Sequence, residues 1–230
     1  MTKVSHGVFR DEFDFLAIAF AWLTALVVKL QLKRKLAEIR NDHISGNRYT
    51  STVGKQHQVP QDETERQLAE ATEQEASARA DLDARLEAHR GHPDARRLAL
   101  DCLADKHDLD RREQLVLLAN LPAAIGHDLA EDVLLDWAPG RYGGGGLAID
   151  ALISLMEPEG LRERVAFRDY FSPDSRLVSS GLIVVDHVRG EIAPAEVLDA
   201  EVKLSGKAWQ ALAGQGQAGA EVNPGGLDAG

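Results

Sequence analysis

At 230 residues and 25.0 kDa, the chain is long enough for one large domain or two small ones, and 44% apolar residues suffice for a core. Thirty-seven acidic against 26 basic residues leave a net charge of −11, which repels phosphate backbones and anionic lipid headgroups, while aromatics at 5% exclude a ring-rich sugar- or base-stacking surface. Cys102 is the sole cysteine, which rules out an internal disulfide and multi-cysteine zinc sites and suits a reducing, cytoplasmic compartment.

Charge divides the chain. Residues 1–61 are net +4, 62–93 net −5, 94–214 net −8 and 215–230 net −2. The first block contains Phe15 to Val28, fourteen residues without a charge, followed by Lys29, Lys33, Arg34 and Lys35. A membrane span needs about 20 apolar residues, and a secretory signal wants positive charge ahead of the apolar run, where this chain has Asp11, Glu12 and Asp14. Phe13, Leu16, Phe20, Leu23, Val27 and Leu30 recur at spacings of three and four, so residues 11–40 are predicted to form one long amphipathic helix. Its seam is the candidate partner-binding surface, expected to take a partner helix or to fold back on the rest of the chain. A membrane anchor through residues 15–32 is the alternative.

Residues 41–61, with Gly46, Asn47, Gly54 and Pro60, are expected to be a flexible linker. Asp62 to Arg90 is dense in Glu, Ala and Arg, and its thin stripe of Leu68, Ala71, Ala78, Leu82 and Leu86 predicts an exposed acidic spacer helix within residues 62–93. Half of a coiled coil is the competing reading.

Strong periodicity begins at residue 94. Leu98, Cys102 and Leu103 mark a helix; Leu115, Leu118 and Leu121 mark another, capped by Asp110 and closed by Pro122. A third is predicted over 128–137, with Leu129, Val133, Leu134 and Trp137 inward, then an all-round apolar helix over Leu147 to Met156 and a short one over Glu159 to Phe167. Gly181 to Val188 and Glu201 to Leu204 have strand patterns, separated by Arg189-Gly190 and a helical turn near Pro194 to Leu198. Ser205 caps a last short helix that ends at Gly214, and residues 215–230 form a Gly-rich tail expected to be disordered. Helices followed by a two-stranded wing predict a mainly α, winged-helix-like domain over 94–214 with a small β wing.

Three segments then carry a resemblance: Asp108-Leu-Asp-Arg-Arg-Glu-Gln-Leu-Val-Leu-Leu118, Phe171-Ser-Pro-Asp-Ser-Arg-Leu-Val-Ser-Ser-Gly-Leu-Ile183 and Leu198-Asp-Ala-Glu-Val-Lys-Leu-Ser205. Together they resemble the winged-helix region that precedes the motor in a group of prokaryotic AAA+ family ATPases, and the helix at 13–40 is similar to the N-terminal helix of those proteins. The resemblance implies an adaptor or oligomerisation region whose partner is a protein, an AAA+ motor module or a second copy of the chain. In that family the motor follows a position like Gly214.

Motor chemistry itself needs a glycine-rich loop ending in Gly-Lys-Ser/Thr, which the sequence does not contain: Gly54-Lys55 precedes Gln56, Gly206-Lys207 precedes Ala208, and Gly143 to Gly146 precedes Leu147. Leu182-Ile-Val-Val-Asp186 imitates the strand and acid that position magnesium, but without that loop it predicts a buried wing strand ending in a surface Asp. His89 and His92 form the close histidine pair, with Asp94 and Cys102 as the further candidate ligands, too few and too scattered for a zinc site. Asp186 and His187, adjacent on a strand, face opposite ways. The sequence thus predicts no catalytic centre, no metal and no cofactor.

A DNA-binding regulator is the main rival, because winged helices insert a helix into the major groove. Composition opposes it: Leu147 to Met156 has no basic residue, and Arg162, Arg164 and Arg168 are interleaved with Glu157, Glu159, Glu163 and Asp169.

Overall fold

The computed structural model describes residues 7–46, 61–126, 134, 137, 146–186 and 196–214. Helix α1 spans Glu12–Gly46, six residues beyond its expected end, and α2 spans Gln61–Arg90. Asp11 caps α1 by accepting the Asp14 amide at 2.8 Å, and the first turn carries Glu12 and Asp14, which suits the helix dipole. Residues 41–46 of the expected linker are therefore helical; residues 47–60 lie outside the described set.

The helices run antiparallel. Phe9, just before α1, meets His89 at the end of α2; Trp22 and Lys29 meet Glu75; Arg40 meets Glu65. This corrects the expectation of a spacer with few burial partners, since Thr64, Ala71, Glu75, Leu82 and His89 of α2 are all buried. Small alanines let the backbones approach, and buried polar pairs add to the thin apolar stripe. By length and composition α1 could also cross a membrane, with an 18-residue window of mean hydropathy 2.0. Here Phe15, Ala19, Phe20, Leu23, Leu26 and Val27 are instead buried in the chain's own core.

The remainder is a small helical body with a three-stranded antiparallel sheet. In chain order come α3 (Ala99–His107), α4 (Arg111–Ile125), β1 (Leu147–Ala148), α5 (Ile149–Leu155), α6 (Leu161–Ala166), a 3-10 turn (Phe167–Phe171), α7 (Arg176–Ser179), β2 (Ile183–Asp186), a second 3-10 turn (Glu196–Asp199), β3 (Glu201–Leu204) and α8 (Gly206–Gly214). The sheet order is β1-β3-β2, with Leu147 opposite Val202, Ile183 opposite Leu204 and Asp186 opposite Glu201. The predicted mainly α fold with a small β wing is what the structure shows.

Several local expectations need correction. Leu147 and Ala148 form β1 rather than the start of a helix, because Asn120 on α4 accepts the Leu147 amide at 3.1 Å and Gly146 lies against β3. A Cβ on Gly146 would stand 2.0 Å from the Val202 carbonyl oxygen, so only glycine permits that approach. Pro122 does not close α4, which continues to Ile125 and ends at Gly126 in the left-handed conformation; the proline removes one amide from the ladder without stopping the last turn. Of the predicted helix over 128–137, Leu134 and Trp137 are buried, while Leu129 and Val133 lie outside the described residues. So do His187, Arg189-Gly190, Pro194 and residues 215–230. Ser205 caps α8 as expected, accepting the Ala208 amide at 3.1 Å while donating to Gly181 O at 2.6 Å.

Candidate functional site

The predicted seam is split by the structure. Phe20, Leu23 and Val27 are buried within the chain, Leu16 and Leu30 are half-buried beside them, and Phe13 is exposed. Five of the six therefore belong to the intramolecular packing, the fold-back outcome, and Phe13 alone projects to solvent.

The polar centre of that packing leaves no trace in the apolar periodicity of the sequence. Lys29 is 5% exposed and donates to Glu75 at 2.8 Å and to Glu157 at 2.7 Å, while Lys33 reaches the other oxygen of Glu157 at 2.7 Å. The Trp22 indole N–H donates to Glu75 at 2.9 Å. Glu157, just past α5, takes a left-handed backbone at φ 49°, a conformation rare for a residue with a side chain, and so presents its carboxylate to both lysines. Burial pushes the Lys29 ammonium towards a lower pKa, but the hydrogen bonds and charges of Glu157 and Glu75 outweigh it and hold Lys29 above the ordinary lysine value. Burial likewise pushes Glu157 up, and the two lysines overcome it and hold it below the ordinary glutamate value. A signal for this existed: Glu75 sits inside the stripe of Ala71, Ala78 and Leu82, a carboxylate where the helix faces inward.

A second centre joins the segments that carry the resemblance. Asp110 caps α4 by accepting the amides of Arg112 and Glu113, and Glu113 returns a bond to the Asp110 amide at 2.8 Å. Arg176, the one basic side chain of α7, turns onto this cap: it contacts Asp108 through the backbone oxygen and, at 3.0 Å, the carboxylate, Glu113 at 3.0 Å and Asp110 at 3.7 Å. Tyr170 donates to Asp110 at 2.8 Å. Burial raises the Glu113 carboxyl above its ordinary value despite the Asp110 amide and Arg176. Ser205 and the pairing of β2 with β3 then hold the third segment against the second.

Other cations of the helical body are matched as well. Arg112 pairs with Glu163 and lies 4.2 Å over the Phe167 ring, Arg164 pairs with Asp150, and Lys203 with Glu201 and Asp186. Arg162 and Arg168 make no ion pair among the described residues. A cleft of about 730 Å3 between α1 and α5 is lined by Lys33, Arg34, Asp150, Glu157, Glu159 and Arg164. Each of its cations makes an ion pair, Lys33 with Glu157, Arg34 with Glu38 and Arg164 with Asp150.

Of the motor and metal candidates, Gly54-Lys55 and Gly143 to Gly145 lie outside the described residues; Lys207 donates to the Ser180 carbonyl, and Asp186 is exposed. His89 bonds the Arg96 carbonyl at 2.7 Å, His92 accepts the Asp94 amide at 3.3 Å, and among the described residues no group of three or more His, Cys, Asp or Glu is placed to hold a metal.

No curated protein and no solved structure matches the chain significantly. Residues 1–226 do match the family described as "Winged helix domain, variant". That match spans nearly the whole chain, including the α1–α2 hairpin; the chain belongs to this variant winged helix family.

Proposed function

We propose that the chain is a non-catalytic protein-interaction and oligomerisation region that works with a prokaryotic AAA+ ATPase motor in the cytoplasm. The observation that carries this is Arg176: the helix leading into β2, which in a DNA reader would offer cations to phosphate, has its one arginine directed onto Asp108, Asp110 and Glu113. Sequence recognition by a winged helix needs base contacts positioned by phosphate contacts. With thirteen basic against twenty-one acidic residues in 94–214, this body is poorly suited to hold a polyanion. The association with a motor is supported by the three resembling segments, which pack on one another as a unit through Arg176 and Ser205.

The test pairs two measurements on the purified full chain. Fluorescence anisotropy with labelled duplex DNA at low salt is expected to show no binding at micromolar protein, and co-expression with a prokaryotic AAA+ ATPase of the group its segments resemble is expected to give a co-eluting complex with altered ATP turnover. Duplex binding that falls steeply with salt would replace this reading with a DNA-binding one.

A further inference from the structure

Between Phe15 and Val28, α1 has no charged side of its own. The outward Ala17, Ala21 and Val28 are as apolar as the buried Ala19, Leu23 and Val27, so hydrophobic patterning does not say which side of this helix belongs inside. The opposing helix is little more selective, since α2 offers small or plain apolar side chains at Ala71, Ala78 and Leu82. What separates the two sides of α1 is bonding to other elements. Trp22, Lys29 and Lys33, at spacings of seven and four, share the inward side, and all three donate to carboxylates: Trp22 and Lys29 to Glu75, Lys29 and Lys33 to Glu157. Glu12, ten residues before Trp22, adds one bond by accepting the Ala99 amide. The junction is costly to form. Lys29 and Glu75 are 5% and 6% exposed, and taking both charges out of water carries a penalty that an apolar pair of similar size would not. Glu157 meets the lysines from a left-handed backbone at φ 49°, which a residue with a side chain disfavours.

We infer that this junction is a lock on the setting of α1: Glu75 and Glu157 choose which side of the helix faces inward and where it sits along α2, and they do so without adding stability over an apolar contact. Turning α1 by one residue, about 100°, would put Val28 in the place of Lys29 and leave Glu75 buried without its cation. A slide of one turn in one direction would put Ala25 there, with the same result. In the other direction Lys33 arrives, but Leu26 replaces the Trp22 donor and Gln31 enters the fully buried place of Val27. The setting decides what α1 leaves outward, which in the locked state is Phe13, Ala17, Ala21 and Val28. The lock belongs to the free chain and does not depend on a motor being its partner.

Thiol labelling of the full chain with Ellman's reagent, in a Cys102→Ser background, reads the setting directly. With the junction intact, Ala21→Cys on the outward side is expected to react at least about 100-fold faster than Ala19→Cys on the inward side, which needs local opening to react. In Lys29→Met/Glu75→Met the chain is expected to keep a cooperative urea transition near that of the wild type, while the two rates converge to within about 10-fold. A second readout needs no added cysteine. The indole N–H spectrum of the wild type is expected to carry one signal for each of Trp22, Trp137 and Trp209, and that of the charge-free variant more than one for Trp22. Glu12→Ala is expected to leave the 100-fold ratio in place. An unchanged ratio with a single Trp22 signal in the charge-free variant would show that apolar packing alone sets α1. Loss of its cooperative transition would show that the junction supplies stability instead, and collapse of the ratio in Glu12→Ala would place the control of α1 at the Ala99 bond. Each of these results overturns the lock.

Discussion

Lys29 and Glu157 lie 128 residues apart in sequence and 2.7 Å apart in space, and Glu75 completes the buried arrangement from α2 at 2.8 Å. One ammonium thereby ties both helices of the hairpin to the helical body. Lys29→Met leaves Glu75 buried with no counter-charge, and removal of one partner of a buried pair costs about 3–5 kcal/mol. Urea unfolding of the variant is expected to show a loss of that size, with much of it recovered in Lys29→Met/Glu75→Met. A loss below about 1 kcal/mol would mean that the pair does not organise the junction.

The same pair sets a pH window. Glu157 is held below its ordinary value of 4.5, so its contribution is present above that value and is lost as pH falls through the lowered folded value. Lys29 is held above its ordinary value of 10.5, so its contribution is present below that value and is lost as pH rises through the raised one. Thermal melts across pH are expected to show a plateau between these limits, and Glu157→Gln is expected to flatten the acidic side.

Asp110 serves α4 and Tyr170 at once. Asp110→Ala removes the cap and the acceptor of the Tyr170 hydroxyl, with an expected loss of about 1–2 kcal/mol. A double-mutant cycle with Tyr170→Phe, followed by denaturant titration, is expected to give a coupling energy above zero; strict additivity would mean the 2.8 Å contact adds nothing.

Gly146→Ala places a methyl group against the Val202 carbonyl, a backbone atom that the β3 ladder holds in place. The expected loss is about 1–3 kcal/mol, typical of overpacking, and hydrogen exchange is expected to quicken first at Leu147. Unchanged exchange there would show that the strand accommodates the methyl group.

Much of the fold was legible because it rests on local signals. Asp110 and Ser205 are caps with the expected partners, and the strand pattern at Ile183–Asp186 needs only near neighbours to be read. Two features were not. Strand β1 is two residues long and owes its existence to Asn120 and β3, both remote in sequence, so the apolar run from Leu147 looks helical throughout. The burial of α2 depends on a polar junction, whereas apolar periodicity registers only Leu68, Leu82, Leu86 and the alanines. The seam on α1 was visible, but its occupant was not: spacing of three and four shows that Leu23 and Val27 are covered without saying by what. Since the chain itself covers them, Leu23→Asp with Val27→Asp is expected to unfold the core rather than merely release a partner.

Past Lys33, α1 continues to Gly46 while α2 begins beside it at Gln61, with the solvent-exposed Arg40–Glu65 pair bridging the two near that end. Thirteen further residues amount to roughly 20 Å of cantilever. A rotation of about 5° at the lysine fulcrum would swing the tip by roughly 2 Å over that reach. A partner pulling on the far end would thus work with leverage against Lys29 and Glu157.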